Sequence, residues 1–244
     1  MTRSDKVAVK VLVTRSEPGA TQTASRLEKR GAAPIVAPLL SISFVDDIAF
    51  DAERSHALLF TSPNAVRAWL SDRSETDLPA FCVGDTTARE AEAAGFTRVR
   101  SAGGDVGDLV ALCEQRLVPG RHRLLYLRGE HVSTDLASIL NTRGFTIDEA
   151  VVYSATAATV LPPAAATAIR RRELAVALFH SQRAAIAFTA LVEEADLTDY
   201  LNTVIAVAIS EAAATGLVAA DWAAVKVAEA PTEADMLNRI GFAP

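Results

Sequence analysis

Sulfur and aromatic side chains are scarce in this chain. Two cysteines, Cys82 and Cys113, occur among 244 residues. Neither belongs to a C-x-x-C pair or a metal-spaced Cys/His cluster, which leaves ordinary burial as the reading of both. The four histidines, His56, His122, His131 and His180, share no H-x-x-x-H or H-E-x-x-H spacing, which argues against a protein-held metal. Long apolar runs are also missing. The stretches 204–209 and 217–220 fall far short of the ~20 residues that cross a bilayer, so no membrane partner is expected. Basic residues are in deficit, 24 Lys and Arg against 30 Asp and Glu, for a net charge of -6. This argues against broad nucleic-acid binding, which needs a basic face to neutralise phosphates. The opening Met1-Thr2-Arg3-Ser4-Asp5-Lys6 has no apolar core or cleavage site of a secretory signal, so a cytoplasmic location is expected.

What is abundant is apolar sequence, 50% of the chain. At this length it can fill two compact cores, since one domain needs only roughly 100–200 residues. Short β-branched or Leu-rich runs at 9–14, 57–60, 81–83, 123–127, 174–179, 204–209 and 225–228 are each followed by a longer amphipathic segment. This alternation marks βαβ units with parallel sheets covered by helices, an α/β class. Ser62-Pro63 reads as an N-cap followed by proline at the first helical position, and Thr232-x-x-Asp235 resembles a capping box.

The chain also repeats itself. Val11-Leu12-Val13-Thr14-Arg15 with Ala24, Leu27, Arg30 and Gly31 aligns without gaps to Leu124-Leu125-Tyr126-Leu127-Arg128 with Ala137, Leu140, Arg143 and Gly144. The segment 57–65 aligns to 175–183 with a one-residue offset, and 81–88 matches 207–214. Two copies of one unit are expected, each a three-layer domain with a parallel sheet. Extended stretches at 34–44 and 146–156 occupy equivalent places. If they pair as a two-strand ladder, the first domain is discontinuous, 1–37 plus 155–244. The second then spans 45–148, with linker strands at 38–44 and 149–154.

With these blocks in hand, the chain resembles the uroporphyrinogen-III synthase family. The resemblance rests on Val13-Thr14-Arg15, Phe60-Thr61-Ser62-Pro63-Asn64-Ala65-Val66, Val83-Gly84-Asp85-Thr86-Thr87-Ala88 with Gly95-Phe96, Leu125-Tyr126-Leu127-Arg128-Gly129-Glu130, Val152-Tyr153-Ser154-Ala155-Thr156 and Pro231-Thr232. Each block is weak alone; their joint order over nearly the whole chain is specific. The resemblance implies the same ladder-linked architecture. It also implies a lyase that converts hydroxymethylbilane to uroporphyrinogen III with loss of water and without metal or organic cofactor. A monomer is expected because the two lobes can cover each other and the sequence shows no heptad or assembly element; a transient handover from hydroxymethylbilane synthase is the expected partner interaction.

In that light the candidates sort by chemistry. The resemblance places at Tyr153 a tyrosine thought to help the departing hydroxyl leave, a task suited to a neutral phenol with a pKa near ~10; packing between domains is its alternative reading. A substrate with eight carboxylates needs anion sites, and helix starts supply free N–H groups. Such starts are expected at 62–64, 85–87, 129–133, 181–183 and 210–212. They bring Ser62, Asn64, Thr87, Gly129, Ser181 and Ser210 into the substrate-binding set, though capping alone would also explain the hydroxyls. Arg15 and Arg128 stand at equivalent positions beyond strand C-termini and are candidates to clamp carboxylates, with a surface salt bridge as the alternative. Arg170-Arg171-Arg172 reads as a solvated face, Trp69 and Trp222 as core. Gly103-Gly104-Asp105-Val106-Gly107 reads as a flexible loop.

One departure from the family pattern stands out. Ser210-Glu211-Ala212-Ala213 replaces an expected glycine-proline-threonine-threonine-like turn, losing two hydroxyls and adding a carboxylate. That departure keeps open a degenerate synthase-like binding or regulatory module as a rival. A two-lobed binding protein is a second rival, opposed by the missing export signal.

Overall fold

The computed structural model describes residues 8–46, 54–72, 76–132 and 134–241. In chain order the elements are β1 (Lys10–Val13), α1 (Gly19–Lys29), β2 (Ala33–Val36), β3 (Leu40–Phe44), β4 (Ala57–Phe60), α2 (Pro63–Asp72), β5 (Ala80–Cys82), α3 (Asp85–Ala93), β6 (Val99–Ser101) and α4 (Val106–Arg116). They continue with β7 (Arg123–Gly129), α5 (Leu136–Thr142), β8 (Thr146–Ala157), α6 (Pro163–Arg170), β9 (Leu174–Phe179), α7 (Gln182–Glu194), β10 (Ile205–Ala208), α8 (Glu211–Ala214), β11 (Ala224–Val227) and α9 (Glu233–Arg239). The α/β class with parallel sheets is as the alternation predicts. Two compact units result, one of residues 1–41 with 156–244, the other of 42–155.

The first unit carries a sheet in the order β11-β10-β9-β1-β2, parallel throughout. Its three central strands, β10, β9 and β1, are largely buried on both faces, which is why they read as nearly unbroken apolar runs. One face is covered by α6, α7 and α8 through Ala165, Ile169, Phe188 and Ala213; the other by α1 and α9 through Ala20, Leu27, Met236 and Leu237. Pro34 is accommodated because β2 is an edge strand and pairs on one side only. Trp222 packs against Phe179 and Phe188 and donates its indole N–H to the Leu217 carbonyl at 3.1 Å.

The second unit repeats the arrangement with one strand added, in the order β3-β8-β7-β4-β5-β6. Strands β8-β7-β4-β5-β6 are parallel and match β2-β1-β9-β10-β11 position for position, so the sequence repeat is a repeat of topology. Helices α2 and α3 bring Val66, Trp69 and Ala91 to one face, while α4 and α5 bring Leu109, Cys113 and Leu140 to the other. The added strand β3 lies against β8. Val45 N–H donates to Val152 O at 3.0 Å and Ala158 N–H to Leu39 O at 2.9 Å, so the two strands run in opposite directions.

Three local expectations need correction. The glycine-rich stretch at 103–107 is a helix start: Asp105 accepts N–H bonds from Gly107 and Asp108, and the Asp108 carboxylate accepts the Asp105 N–H in return, a complete capping box for α4. The Thr232 box is only half formed. Thr232 Oγ1 accepts from Asp235 N–H at 3.3 Å, but the Asp235 carboxylate turns to the N–H groups of Glu229 and Ala230. Finally, 129–133 does not open a helix. Strand β7 runs through Gly129, and α5 begins at Leu136 with Asp135 as its cap; Ser133 lies outside the described residues.

Candidate functional site

In a doubly wound sheet, ligands bind beyond the C-terminal strand ends, at the point where successive connections turn in opposite directions. The second unit has that point between β7 and β4: β7 leads through α5 to β8 on one side, and β4 leads through α2 to β5 on the other. Tyr153, Gly129, Arg128, Tyr126 and Thr61 gather there.

Tyr153 faces Gly129 across the β7–β8 ladder, where the register shifts after Arg128, and its carbonyl accepts the Glu130 N–H at 2.9 Å. The phenol ring lies on Gly129. A Cβ at Gly129 would meet Tyr153 Cζ at 2.7 Å and Oη at 2.9 Å, so the missing side chain makes the ring's position possible. Arg128 Nε donates to Glu149 Oε2 at 2.7 Å, and its NH1 donates to the carbonyls of Gly129 and Glu130 at 3.1 and 3.3 Å. This is the salt-bridge arrangement that the sequence left as the alternative to a carboxylate clamp.

Two further residues meet at this edge that sequence reasoning did not assign to the site. Tyr126 is 2% exposed, and its hydroxyl lies 3.0 Å from Thr61 Oγ1, bridging β7 to the first residue beyond β4. Burial pushes the Tyr126 phenol above its ordinary value, with the Tyr153 ring adding to the rise and the Thr61 hydrogen bond opposing it. The available signal was the tyrosine itself, a polar tip inside the otherwise apolar β7 run.

The remaining second-unit candidates sit at helix starts. Ser62 Oγ accepts from Asn64 N–H at 3.2 Å, and Asn64 Oδ1 accepts from Arg67 NH1 at 3.0 Å. Arg67 in turn makes a two-point pair with Glu90 at 2.7 Å. Thr87 is the third residue of α3, only 3% exposed, and Gly84 occupies the cap position. Thr87 is therefore not the helix cap.

In the first unit the corresponding point lies between β1 and β9, and it holds Arg15, His180 and Ser181. The Arg15 guanidinium rests on Gly19, where a Cβ would collide with Nε. Its NH1 is 3.5 Å from Thr23 Oγ1 and 3.8 Å from Glu233 Oε2. Thr14 Oγ1 donates to the Leu178 carbonyl at 2.6 Å and ties the ends of the two strands together. Ser181 caps α7, accepting from Ala184 N–H at 3.2 Å. His180 has both ring nitrogens closed off from solvent, and among the described residues neither has a hydrogen-bond partner. Burial, with the Arg15 charge adding to it, pushes His180 down to about 3, so the ring is neutral. Ser210 caps the four-residue α8 through Ala213 N–H at 3.3 Å. It lines a cleft of about 490 Å³ with Glu211, Glu229 and Arg239, so the altered turn does place a carboxylate beside Ser210. Among the described residues no group of His, Cys, Asp and Glu could hold a metal ion, and no helix is long and apolar enough to cross a membrane.

Fold and edge together define a class: a tandem doubly wound α/β protein whose hydroxyl, guanidinium and helix-start groups collect at the switch points of its two sheets. The model of the family described as uroporphyrinogen-III synthase HemD matches residues 21–238. The chain belongs to the uroporphyrinogen-III synthase family, enzymes of tetrapyrrole biosynthesis. The crystal structure of uroporphyrinogen-III synthetase from Helicobacter pylori 26695 superposes with a TM-score of 0.63 at 20% identity, over 96% of this chain and 98% of that one. A mutant uroporphyrinogen III synthase from the extremely thermophilic bacterium Thermus thermophilus gives 0.52 at 19% identity, over 95% and 97%. At such identities the likeness speaks for the fold. No curated protein sequence matches the chain.

Proposed function

We propose that the chain converts hydroxymethylbilane to uroporphyrinogen III as a cofactor-independent lyase. The observation that carries this reading is the family match across both units, residues 21–238, rather than any single side chain. Loss of the terminal hydroxyl, leaving as water, gives an azafulvenium-type cation that the electron-rich pyrrole stabilises itself. The protein's task is then to assist that departure and to hold the two ends of a flexible chain in register, an entropic contribution of several kcal/mol. Attack must come from the substituted carbon of the last ring, through a spiro intermediate, so that this ring ends inverted.

Tyr153 is the residue assigned to the departing hydroxyl. Its phenol is held over Gly129 at the strand-end edge, and a neutral phenol donates a hydrogen bond at neutral pH. Arg15, Ser62, Asn64, Thr87, Arg128, Gly129, Ser181 and Ser210 make up the substrate-binding set. Support is strongest for the capped starts of α2 and α7, where Ser62 and Ser181 stand among backbone N–H groups that favour anions. The protein acts as a monomer in the cytoplasm, with its substrate handed over by hydroxymethylbilane synthase.

The test is a coupled assay in which hydroxymethylbilane is generated in place and the oxidised products are resolved into isomers I and III. Predominantly isomer III is expected. Only isomer I from a folded sample would remove the enzymatic reading.

A further inference from the structure

The hydroxyl pair formed by Tyr126 and Thr61 has no place in the assignment above, yet it spans the switch point of the second sheet. Tyr126 belongs to β7, whose run would be satisfied by leucine on the same face, as Leu124 two residues earlier shows. A phenol placed there brings a hydroxyl that must find a partner, since burying one unbonded forfeits its hydrogen bond to water without replacement. The partner is Thr61 Oγ1 at 3.0 Å, on the residue that links β4 to α2. Of the two hydroxyls the phenol is the more acidic and the better donor. It stays protonated, because its burial raises it further.

With Tyr126 donating, the Thr61 oxygen is used as an acceptor and its own hydrogen is left to point elsewhere. Tyr126 is 2% exposed, whereas Thr61 is only half-buried, so the free hydrogen belongs to the more accessible member. Thr61 stands directly before Ser62, Pro63 and Asn64 at the start of the ten-residue α2, whose positive end favours an anion. Thr61 follows β4 and Tyr153 belongs to β8, the strands on either side of β7, so the two residues flank the end of a single strand, two strand spacings or about 10 Å apart along the sheet, with the Tyr153 ring leaning inward over Gly129.

We propose that Thr61 is a substrate-binding residue that donates a hydrogen bond to a carboxylate of the bilane, and that Tyr126 is the positioning residue that fixes the Thr61 hydroxyl for this task. The inference rests on the synthase reading. It assigns Thr61 to a part of the substrate that does not react, so the pair governs binding while Tyr153 governs departure of the hydroxyl.

The experiment compares the wild type with Thr61→Val, Thr61→Ser, Tyr126→Phe and the Thr61→Val/Tyr126→Phe double variant in the coupled assay, with bilane concentration varied. Thr61→Val is expected to raise KM about tenfold, the scale of one hydrogen bond to a charged group, while kcat falls no more than about twofold. Thr61→Ser restores most of the affinity. Tyr126→Phe raises KM by a smaller factor, and the double variant matches Thr61→Val because both act through one contact. An unchanged KM in Thr61→Val overturns the inference, as do additive effects in the double variant or a Tyr126→Phe protein that loses thermal stability with KM intact. Should Tyr126→Phe not fold, equal KM values for the Ser and Val variants overturn it alone. Wild-type protein that yields only isomer I defeats the synthase reading itself; isomer III from wild type with unaltered variants defeats the inference alone.

Discussion

The Tyr153 ring occupies the space a side chain at Gly129 would fill, across the β7–β8 ladder, and a methyl group on Gly129 would come within 2.7 Å of Cζ and 2.9 Å of Oη. Gly129→Ala therefore acts on Tyr153 without touching its chemistry. In the coupled assay, Tyr153→Phe is expected to slow isomer III formation by about a hundredfold, the lower end of what a positioned proton donor contributes. Gly129→Ala should produce a loss of the same kind through displacement of the phenol, and combining the two should add little. A Gly129→Ala enzyme with full kcat would show that the ring's position on the strand is immaterial.

His180 should shape the acid limb of stability. Its folded value is depressed to about 3 from an ordinary 6.5, so between those pH values the unfolded chain holds a proton that the folded chain refuses. Stability therefore rises with pH across that window and is lost as pH falls below 6.5, by roughly 1.4 kcal/mol per unit once well inside it. His180→Leu removes both unpartnered nitrogens. Urea midpoints at about pH 7, 5.5 and 4.5 should fall less steeply for the variant than for the wild type, with no loss at neutral pH. Parallel curves would mean that the imidazole finds a proton or a partner in the folded state.

Both thiols should be silent in the native protein. Cys82 and Cys113 are fully buried, and burial, aided by Glu92 and Glu114 respectively, pushes each up to about 12. A disulfide reagent at about pH 8 is expected to leave the native sample unreacted and to titrate both thiols after denaturation. The same shift makes the fold lose stability above about pH 9, where the unfolded thiols ionise and the buried ones do not. Fast labelling of either cysteine in buffer would contradict this.

Gly216 tests the packing of the first unit. A Cβ there would stand 2.8 Å from Ala185 Cβ and 3.0 Å from both the Gln182 carbonyl and the Ile186 nitrogen, atoms of α7 that cannot step aside. Gly216→Ala should cost about 1–3 kcal/mol in chemical denaturation through overpacking. An unchanged midpoint would show that the Thr215–Leu217 turn slides off α7 without penalty.

Much of this was legible in the sequence because it depends on periodicity and local chemistry. Apolar runs alternating with amphipathic segments predict the parallel sheets, and aligned blocks such as 11–15 with 124–128 predict two units of one topology, which β2-β1-β9-β10-β11 and β8-β7-β4-β5-β6 display. Ser62, Ser181 and Ser210 could be read as helix starts because capping involves neighbours in the chain. Gly129 could not be assigned its role in this way: it resembles a helix-start residue in sequence but ends a strand and carries the ring of Tyr153, which lies one strand further along the chain.

The chain's pattern by itself settles class, repetition and family, since hydrophobic period and motif order are properties of a line of residues. Only the tertiary structure decides which polar groups have partners. Tyr126 meets Thr61 from 65 residues away, Arg128 is engaged by Glu149, and both nitrogens of His180 are shut in beside Arg15. The physical reason is that hydrogen bonds and desolvation act over a few ångströms in space, and that proximity is created when strands distant in sequence are laid side by side in a sheet.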